Sequence, residues 1–201
     1  MPTLKLSLVA LALCCFCIGA KAQSANPQEA GFVAGGDINL HLSAGDYDFS
    51  ASPDNTIRLS WRRDGDHSRG GSPAVRARIN VNGRKAIVVT DGPTNNMHYT
   101  VEVPKSANLT VRLSAGDLRI AEIEGDKEIH LHAGDVRVAV GDPRQYKDVD
   151  LSVKAGDLNA PAFGGSKDGL FRSFHWSGQG TYRLQVHLGA GDVNLVIGDS
   201  I

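Results

Sequence analysis

The sequence predicts an all-β protein with a repetitive β-solenoid or β-helix-like architecture, in which Gly-Asp turns join short strands and a signal-peptide helix precedes them. Three observations predict this. An Ala-Gly-Asp motif occurs five times, apolar and polar residues alternate on both sides of every copy, and no long helical periodicity follows residue 22. The 23 glycines and 8 prolines are typical of a chain of strands and turns.

Residues 1–22 have the pattern of a secretory signal peptide. Lys5 precedes an apolar run over residues 6–20, and Ala20-Lys21-Ala22 supplies small residues at the two positions that a signal peptidase reads. The run is about 15 residues, shorter than the roughly 20 that a membrane-spanning helix needs. We therefore expect cleavage before Gln23, no retained transmembrane helix, and an exported protein that is periplasmic, on the outer surface or secreted.

The remaining chain is long enough for a single domain. We expect a flexible mature N-terminus over residues 23–36 and one β-repeat domain over residues 37–201. All three cysteines lie within residues 1–22, so the mature chain has neither a disulfide nor a cysteine metal site. Without residues 1–22 the chain has 19 basic and 22 acidic residues, a net charge of −3, which gives no electrostatic reason to expect nucleic acid as a partner.

The repeat can be read position by position around its aspartate. The residues six and four before the Asp and one and three after it are apolar in all five copies, whereas those five before and two after are not. Such alternation with a period of two predicts a half-buried strand on each side of the motif. The glycines and aspartates of the five turns are Gly45, Asp46, Gly116, Asp117, Gly134, Asp135, Gly156, Asp157, Gly191 and Asp192.

The motif itself must bend or bulge the chain. The inward positions on its two sides lie five residues apart, so an unbroken strand would send the second half outward. Glycine supplies a positive φ, and Asp can accept a hydrogen bond from a nearby backbone N–H. The turn could close a hairpin or bend the chain into another layer, and Ala-Gly favours the solenoid-like bend. Aspartate spacings of 18 and 22 residues fit such coils, and the next spacing of 35 predicts an insertion over Gly164–Tyr182.

Residues 47–104 interrupt the motif but keep strand-like patterns. Val75–Val81 alternates in polarity, Asn82-Gly83 is the preferred dipeptide of a tight hairpin turn, and Ala86–Val89 is predicted to return as the partner strand. Residues 64–73 are polar and glycine-rich, which predicts a loop. Met97–Val103 is predicted to form a strand that runs into Pro104.

The segment Val101-Glu102-Val103-Pro104, followed by Leu109-Thr110-Val111-Arg112-Leu113-Ser114-Ala115-Gly116-Asp117-Leu118 and further Gly-Asp strands, resembles the bacterial putative adhesin domain family. The resemblance extends over roughly Asp37–Asp199. It implies an exported or membrane-linked β-repeat protein, from a family whose members mostly lack an assigned activity. It brings no catalytic residues.

Two groups of polar side chains are candidates for metal binding. Gly-Asp turns can hold Ca²⁺ when several oxygens converge, but each turn has one Asp, so we predict a turn role. His130 and His132 lie two apart on one strand face, a spacing that lets both imidazoles reach one metal. His41 and His187 stand at the repeat position of His130. Because that position also holds Arg112 and Ser152, a solvated polar face is the alternative interpretation.

The insertion carries the candidate binding residues. Phe171, Phe174, Trp176 and Tyr182 stand among glycines, which predicts a recognition surface if the rings are exposed, or a plug over the β-core if they are not. No nucleophile motif, metalloprotease motif or phosphate loop occurs, so we expect no catalytic residue and no cofactor.

These features together predict a non-enzymatic protein of the cell envelope that acts through surface binding or as a scaffold. The expected partner is an envelope or surface protein or glycan, and self-association at an open sheet edge is a further expectation. The alternative is a ligand-binding or metal-binding envelope module that uses the histidine face or the insertion over residues 164–182.

Overall fold

The computed structural model describes residues 27–63, 75–93, 96–121 and 123–198. These residues form two mixed β-sheets, and no α-helix occurs among them. The predicted all-β class is therefore confirmed. The predicted signal peptide, residues 1–22, and the predicted loop over residues 64–73 lie outside the described residues. Within the described ranges, no helix is long and apolar enough to cross a membrane.

The strands are numbered here in chain order. The nine-stranded sheet, called sheet A, contains β1 (Gln28–Gly31), β3 (Asp46–Ser52), β4 (Thr56–Arg63), β7 (Met97–Pro104), β9 (Leu118–Ile120), β11 (Val136–Ala139), β13 (Leu158–Ala160), β14 (Gly165–Lys167) and β17 (Val193–Val196). The eight-stranded sheet, called sheet B, contains β2 (Asp37–Leu42), β5 (Arg76–Asn82), β6 (Lys85–Asp91), β8 (Asn108–Ala115), β10 (Lys127–Ala133), β12 (Tyr146–Ala155), β15 (Leu170–Ser177) and β16 (Tyr182–Ala190). Two short 3₁₀ helices span Pro143–Gln145 and Pro161–Phe163.

Each Ala-Gly-Asp motif carries the chain from a strand of sheet B to a strand of sheet A. This holds for β2 and β3, β8 and β9, β10 and β11, β12 and β13, and β16 and β17, and we call each such pair of strands a repeat unit. The motif is therefore a bend between sheets and not a hairpin turn. Neighbouring units pair in parallel and in register, so that Val111, for example, lies between Leu40 and Ile129.

A sixth unit lies within the region where the motif is interrupted. Strand β6 pairs in parallel with β2, and β7 pairs in parallel with β3, although Asp91-Gly92-Pro93 replaces Ala-Gly-Asp after β6. The predicted hairpin at Asn82-Gly83 is confirmed, since Asn82 pairs with Lys85 and Gly83 has a φ of 59°. The predicted strand that ends at Pro104 is β7.

The units do not stack in chain order. From one end to the other the order is β6/β7, β2/β3, β8/β9, β10/β11, β16/β17 and β12/β13. The C-terminal unit thus lies between two units that precede it in the chain. The sequence predicts only an insertion in the 35-residue spacing between Asp157 and Asp192. It does not predict that β16 and β17 lie between two earlier units. Strands β14 and β15 pair antiparallel with the outer edges of β13 and β12, which leaves the inner edges free for β17 and β16.

The chain must cross the start of β12 to pass from β15 to β16, and glycines make this crossing compact. The N–H of Gly178 donates to the Lys147 carbonyl at 3.0 Å, and that of Gly180 to the Tyr146 carbonyl at 3.1 Å. A Cβ at Gly180 would lie 2.1 Å from the carbonyl carbon of Gln145. Glycine at this position therefore permits close backbone contact.

The inward side chains of both sheets form one apolar core, and the N-terminal end of the described chain belongs to it. Strand β1 pairs antiparallel with β4, and Phe32 is buried. Residues 28–32, which belong to the segment 23–36, therefore contact the sheet and its core. The apolar ring of Phe32 and the free edge of β4 explain why these residues join the sheet.

Candidate functional site

The outward face of sheet B gathers the polar residues that stand five before each motif aspartate. Across neighbouring strands the order of these residues is His41, Arg112, His130, His187 and Ser152. Adjacent strands are roughly 4.8 Å apart, so each side chain is next to the following one. We call these five residues the histidine row.

The contacts within the histidine row are specific. His130 Nε2 lies 2.8 Å from Glu128 Oε1, and the rings of His130 and His187 stack with centroids 5.0 Å apart. Ser152 Oγ lies 2.7 Å from His187 Nδ1. The structure thus brings His130 and His187 together, whereas Arg112 stands between His130 and His41.

On each of these strands, the residue two positions after the histidine row also faces outward. These residues form a second row, which consists of Ser43, Ser114, His132, Gly189 and Lys154, and the two rows line a groove. The groove has a volume of about 800 Å³, and we call it the sheet B groove. A Cβ at Gly189 would lie 2.3 Å from the His132 carbonyl oxygen, so this position excludes a side chain. Glycine at this position therefore permits close backbone contact between β16 and β10.

The fixed charges of the sheet B groove are mainly positive. Arg112 and Lys154 are exposed, and neither forms an ion pair with a carboxylate in the described part of the chain. Asp91 is the one acidic residue among the described groove-lining residues, and its carboxylate lies 3.5 Å from an Arg76 nitrogen. The groove can therefore offer cationic groups, hydroxyls and imidazole nitrogens to a ligand.

The two histidines predicted as metal ligands both lie on β10 and line the sheet B groove. His130 directs Nε2 to Glu128, whereas His132 stands beside Ser114 and Gly189 in the second row. In the described ranges, no group of three or more His, Cys, Asp or Glu side chains is placed to hold a metal ion. The structure therefore adds no third ligand to this pair.

The motif aspartates form a ladder that joins the repeat units. The Oδ1 atoms of Asp46, Asp117, Asp135 and Asp192 accept hydrogen bonds from the backbone N–H groups of Asp117, Asp135, Asp192 and Asp157, at 3.1, 3.2, 2.9 and 2.8 Å in that order. Each carboxylate thus caps the bend of the next unit and not its own backbone. The ladder explains why one Asp per turn suffices for a structural role.

The motif glycines stack beside the aspartates. Gly116, Gly134, Gly156 and Gly191 have φ values of 118°, 128°, 134° and 124°. A Cβ at any of them would lie 2.0–2.1 Å from the carbonyl oxygen of the motif glycine in an adjacent repeat unit. Both the positive φ and the backbone contact therefore require glycine.

Three of the four aromatic residues predicted to bind a partner cover the end of the core. Phe174, Trp176 and Tyr182 are partly buried against it. The ring centroid of Trp176 lies 4.8 Å from that of Phe163, and that of Tyr182 lies 6.2 Å from that of Tyr146. The positions of these three rings therefore agree with the alternative in which the aromatic residues cover the β-core.

Phe171 differs from the other three aromatics. Its side chain is 81% exposed, and its φ of 51° is unusual for a residue other than glycine. Its neighbours Leu170 and Arg172 pair with Ala155 and Val153 of β12, the strand that carries Lys154. The exposed ring therefore lies on the edge strand beside β12.

Lys127 is a buried charge that the motif alone did not reveal. Its Nζ donates to the Gly125 carbonyl at 3.1 Å and lies 5.7 Å from the Tyr146 ring centroid. Burial lowers the pKa of Lys127 to about 8, against the opposing effect of Asp126 and Glu124. The sequence does contain a signal, since the position eight before the motif Asp is otherwise apolar, with Ile38, Leu109, Val149 and Leu184.

A buried hydroxyl cluster supports one end of the sheet B groove. The rings of Tyr47 and Tyr99 stack with centroids 4.4 Å apart, and the Tyr47 hydroxyl lies 2.8 Å from Thr90 Oγ1. Burial raises the pKa of Tyr47 well above its ordinary value. The cluster also contacts Ser43, whose backbone N–H donates to Thr90 Oγ1 at 2.9 Å. It therefore holds Ser43 at the groove edge.

No protein-family model matches the sequence, and no curated protein matches it. Among solved structures, the chain is similar to a putative cell adhesion protein from Clostridium sporogenes, with 12% identity and a TM-score of 0.46. The similarity covers 86% of this chain and all of that protein's chain. It is a distant likeness between two chains.

Proposed function

We propose that this is an exported, non-enzymatic, adhesin-like protein of the cell envelope, in which a solenoid-like stack of repeat units presents the sheet B groove to a surface partner. The observation that carries the proposal is the in-register histidine row. Residues from five units, distant in sequence, meet on one face as a continuous set of hydrogen-bonding and charged groups.

The scaffold beneath this row is suited to binding because it is rigid. The aspartate ladder and the parallel strand pairing join every unit to its neighbours at both sheets. A preorganised surface loses little conformational freedom when a ligand binds. The proposal therefore assigns the repeat a positioning role and the variable outward residues the recognition role.

The geometry favours binding over hydrolysis. Ser152 and His187 lie within hydrogen-bonding distance, as a nucleophile and its base would. Such a pair also needs an acid that orients the imidazole. Among the described residues no carboxylate bonds to His187, whereas Glu128 bonds to the neighbouring His130. We therefore propose that Ser152 holds the His187 ring for ligand contact.

The test compares matched variants of the mature protein, residues 23–201. Immobilised protein is exposed to detergent-solubilised envelope extract and, separately, to a panel of purified surface polysaccharides. We expect a retained partner for the parent protein, loss of that partner for the Arg112→Ala and His187→Ala double variant, and unchanged retention for Arg137→Ala. Arg137 is exposed on the outward face of sheet A and serves as the control.

Two results would contradict the proposal. One is that the double variant and Arg137→Ala retain the partner equally, which would place binding outside the sheet B groove. The other is a saturable heat of binding with Zn²⁺ that is lost in His130→Ala and His132→Ala, which would favour the metal-binding alternative.

A further inference from the structure

We infer that the ligand of the sheet B groove is a negatively charged saccharide polymer, one whose sugars carry carboxylate or sulfate groups. The inference rests on the proposed function and specifies its ligand class. It follows from the charges that line the groove, from the other groups between them, and from the acidic residues that border it.

The cationic groups define the first requirement on the ligand. Arg112 and Lys154 lie three strands apart, on β8 and β12, with β10 and β16 between them. At roughly 4.8 Å per strand their backbones are about 14 Å apart across the sheet. Neither charge is neutralised by a described carboxylate. A polymer with repeated anionic groups can contact both charges at once.

The groups between these charges suit a sugar. Ser114, Ser152 and His132 present hydroxyl and imidazole groups that can donate or accept hydrogen bonds. Gly189 lines the groove between them without a side chain. Phe171 is exposed on β15, the edge strand next to β12, and offers an aromatic face beside this end of the sheet. A polyhydroxylated ligand can use the hydroxyl and imidazole groups.

Acidic residues border the groove on the side farther from the bends. They are Asp37, Asp126, Glu128, Asp148 and Asp150; the exposed Arg183 lies among the first three, and His175 lies 3.5 Å from Asp148. On the other side, the ladder aspartates lie at the bends, with Oδ1 atoms bonded to backbone N–H groups. The carboxylates on the two sides favour an anionic ligand that runs across the strands, from Arg112 in the histidine row to Lys154 in the second row.

The experiment titrates the mature protein by calorimetry with polygalacturonate, dextran sulfate and uncharged dextran. We expect binding to one or both charged polymers and at least about tenfold weaker binding to dextran. Arg112→Gln and Lys154→Gln should each weaken binding about three- to tenfold, and raising the salt concentration should weaken it further. Arg137→Gln, which removes one charge from the opposite face, should change the affinity less than twofold. Melting curves establish that every variant is folded.

Each other outcome overturns the inference. If uncharged dextran binds as tightly as the charged polymers and Arg112→Gln weakens it, the groove binds sugars without regard to charge, and the proposed function stands. If Arg137→Gln weakens binding as much as Arg112→Gln, the charged polymers bind to the surface in general. If none of the three polymers binds, the ligand belongs to another class, and the retention experiment with envelope extract decides the proposed function separately.

Discussion

The carboxylate of Asp192 accepts a hydrogen bond of 2.8 Å from the backbone N–H of Asp157, a residue 35 positions earlier in the chain. This contact joins the C-terminal unit, β16 and β17, to the unit β12 and β13, which comes before it in the chain. Asp192 also donates its own N–H to Asp135 at 2.9 Å, so the C-terminal unit bonds to an earlier unit on each side. The last unit in the chain thus lies next to the end of the stack, between two earlier units.

Because of the aspartate ladder, we expect replacement of different motif aspartates by alanine to lower the free energy of unfolding by different amounts. Asp135→Ala leaves the Asp192 N–H without its acceptor, and we expect a loss of about 1–2 kcal/mol in the free energy of unfolding. Asp157 ends the ladder, and Asp157→Ala should cost less than about 0.5 kcal/mol. Urea denaturation of both variants measures the difference. Equal losses would show that the ladder bonds do not contribute to stability.

Replacement of a stacked motif glycine should lower the free energy of unfolding more than replacement of a ladder aspartate. Gly134→Ala adds a Cβ 2.1 Å from the Gly116 carbonyl oxygen at a φ of 128°, so we expect a loss of at least about 2 kcal/mol. At Gly141 a Cβ would meet nothing within 4 Å, and Gly141→Ala serves as the matched control with little change. Thermal melting compares the two. A Gly134→Ala variant as stable as the parent would refute the close stacking of the bends.

Because Lys127 is buried, we expect its replacement to increase the free energy of unfolding by an amount that depends on pH. Its folded-state pKa of about 8 lies below the value of about 10.4 in an unfolded chain, so the unfolded state binds more protons between these values. Stability of the parent protein should therefore rise from pH 8 to pH 10.5. Below pH 8 the lysine is charged in both states and carries the full cost of burial.

We expect Lys127→Met to increase the free energy of unfolding by about 1–3 kcal/mol at pH 7, and by less at pH 10, where the parent lysine is largely neutral in the folded state. Loss of the bond to the Gly125 carbonyl reduces this gain. Lys85→Met, at an exposed position of β6, controls for removal of a positive charge. A variant that is less stable than the parent at pH 7 would show that the charged lysine stabilises the fold.

The aromatic insertion predicts opposite roles for two of its rings. Trp176→Ala removes a ring packed on Phe163 at the end of the core and should cost about 1–3 kcal/mol. Phe171→Gly removes an exposed ring at a positive φ, so stability should be unchanged or higher. Binding to the ligand of the sheet B groove should nevertheless fall in Phe171→Gly. Unaltered affinity would exclude Phe171 from the binding surface.

Much of the local structure could be predicted from the sequence. Alternation around each aspartate identifies the inward side chains because strand side chains change face at every residue. The Asn82-Gly83 hairpin follows from turn chemistry. The unit formed by β6 and β7 was missed because another turn replaces Ala-Gly-Asp after Asp91. The aromatic side chains could not be assigned to surface or core, since their exposure depends on what they cover.

The sequence by itself determined the all-β class, a break in the strand at each Ala-Gly-Asp and the identity of the outward residues, because these depend on neighbours within a few positions. Only the tertiary structure decided which units lie side by side. Every unit presents similar backbone edges, so local pattern does not select a partner. Strand β15 occupies the outer edge of β12 and leaves the inner edge to β16, and this long-range choice places His187 between His130 and Ser152.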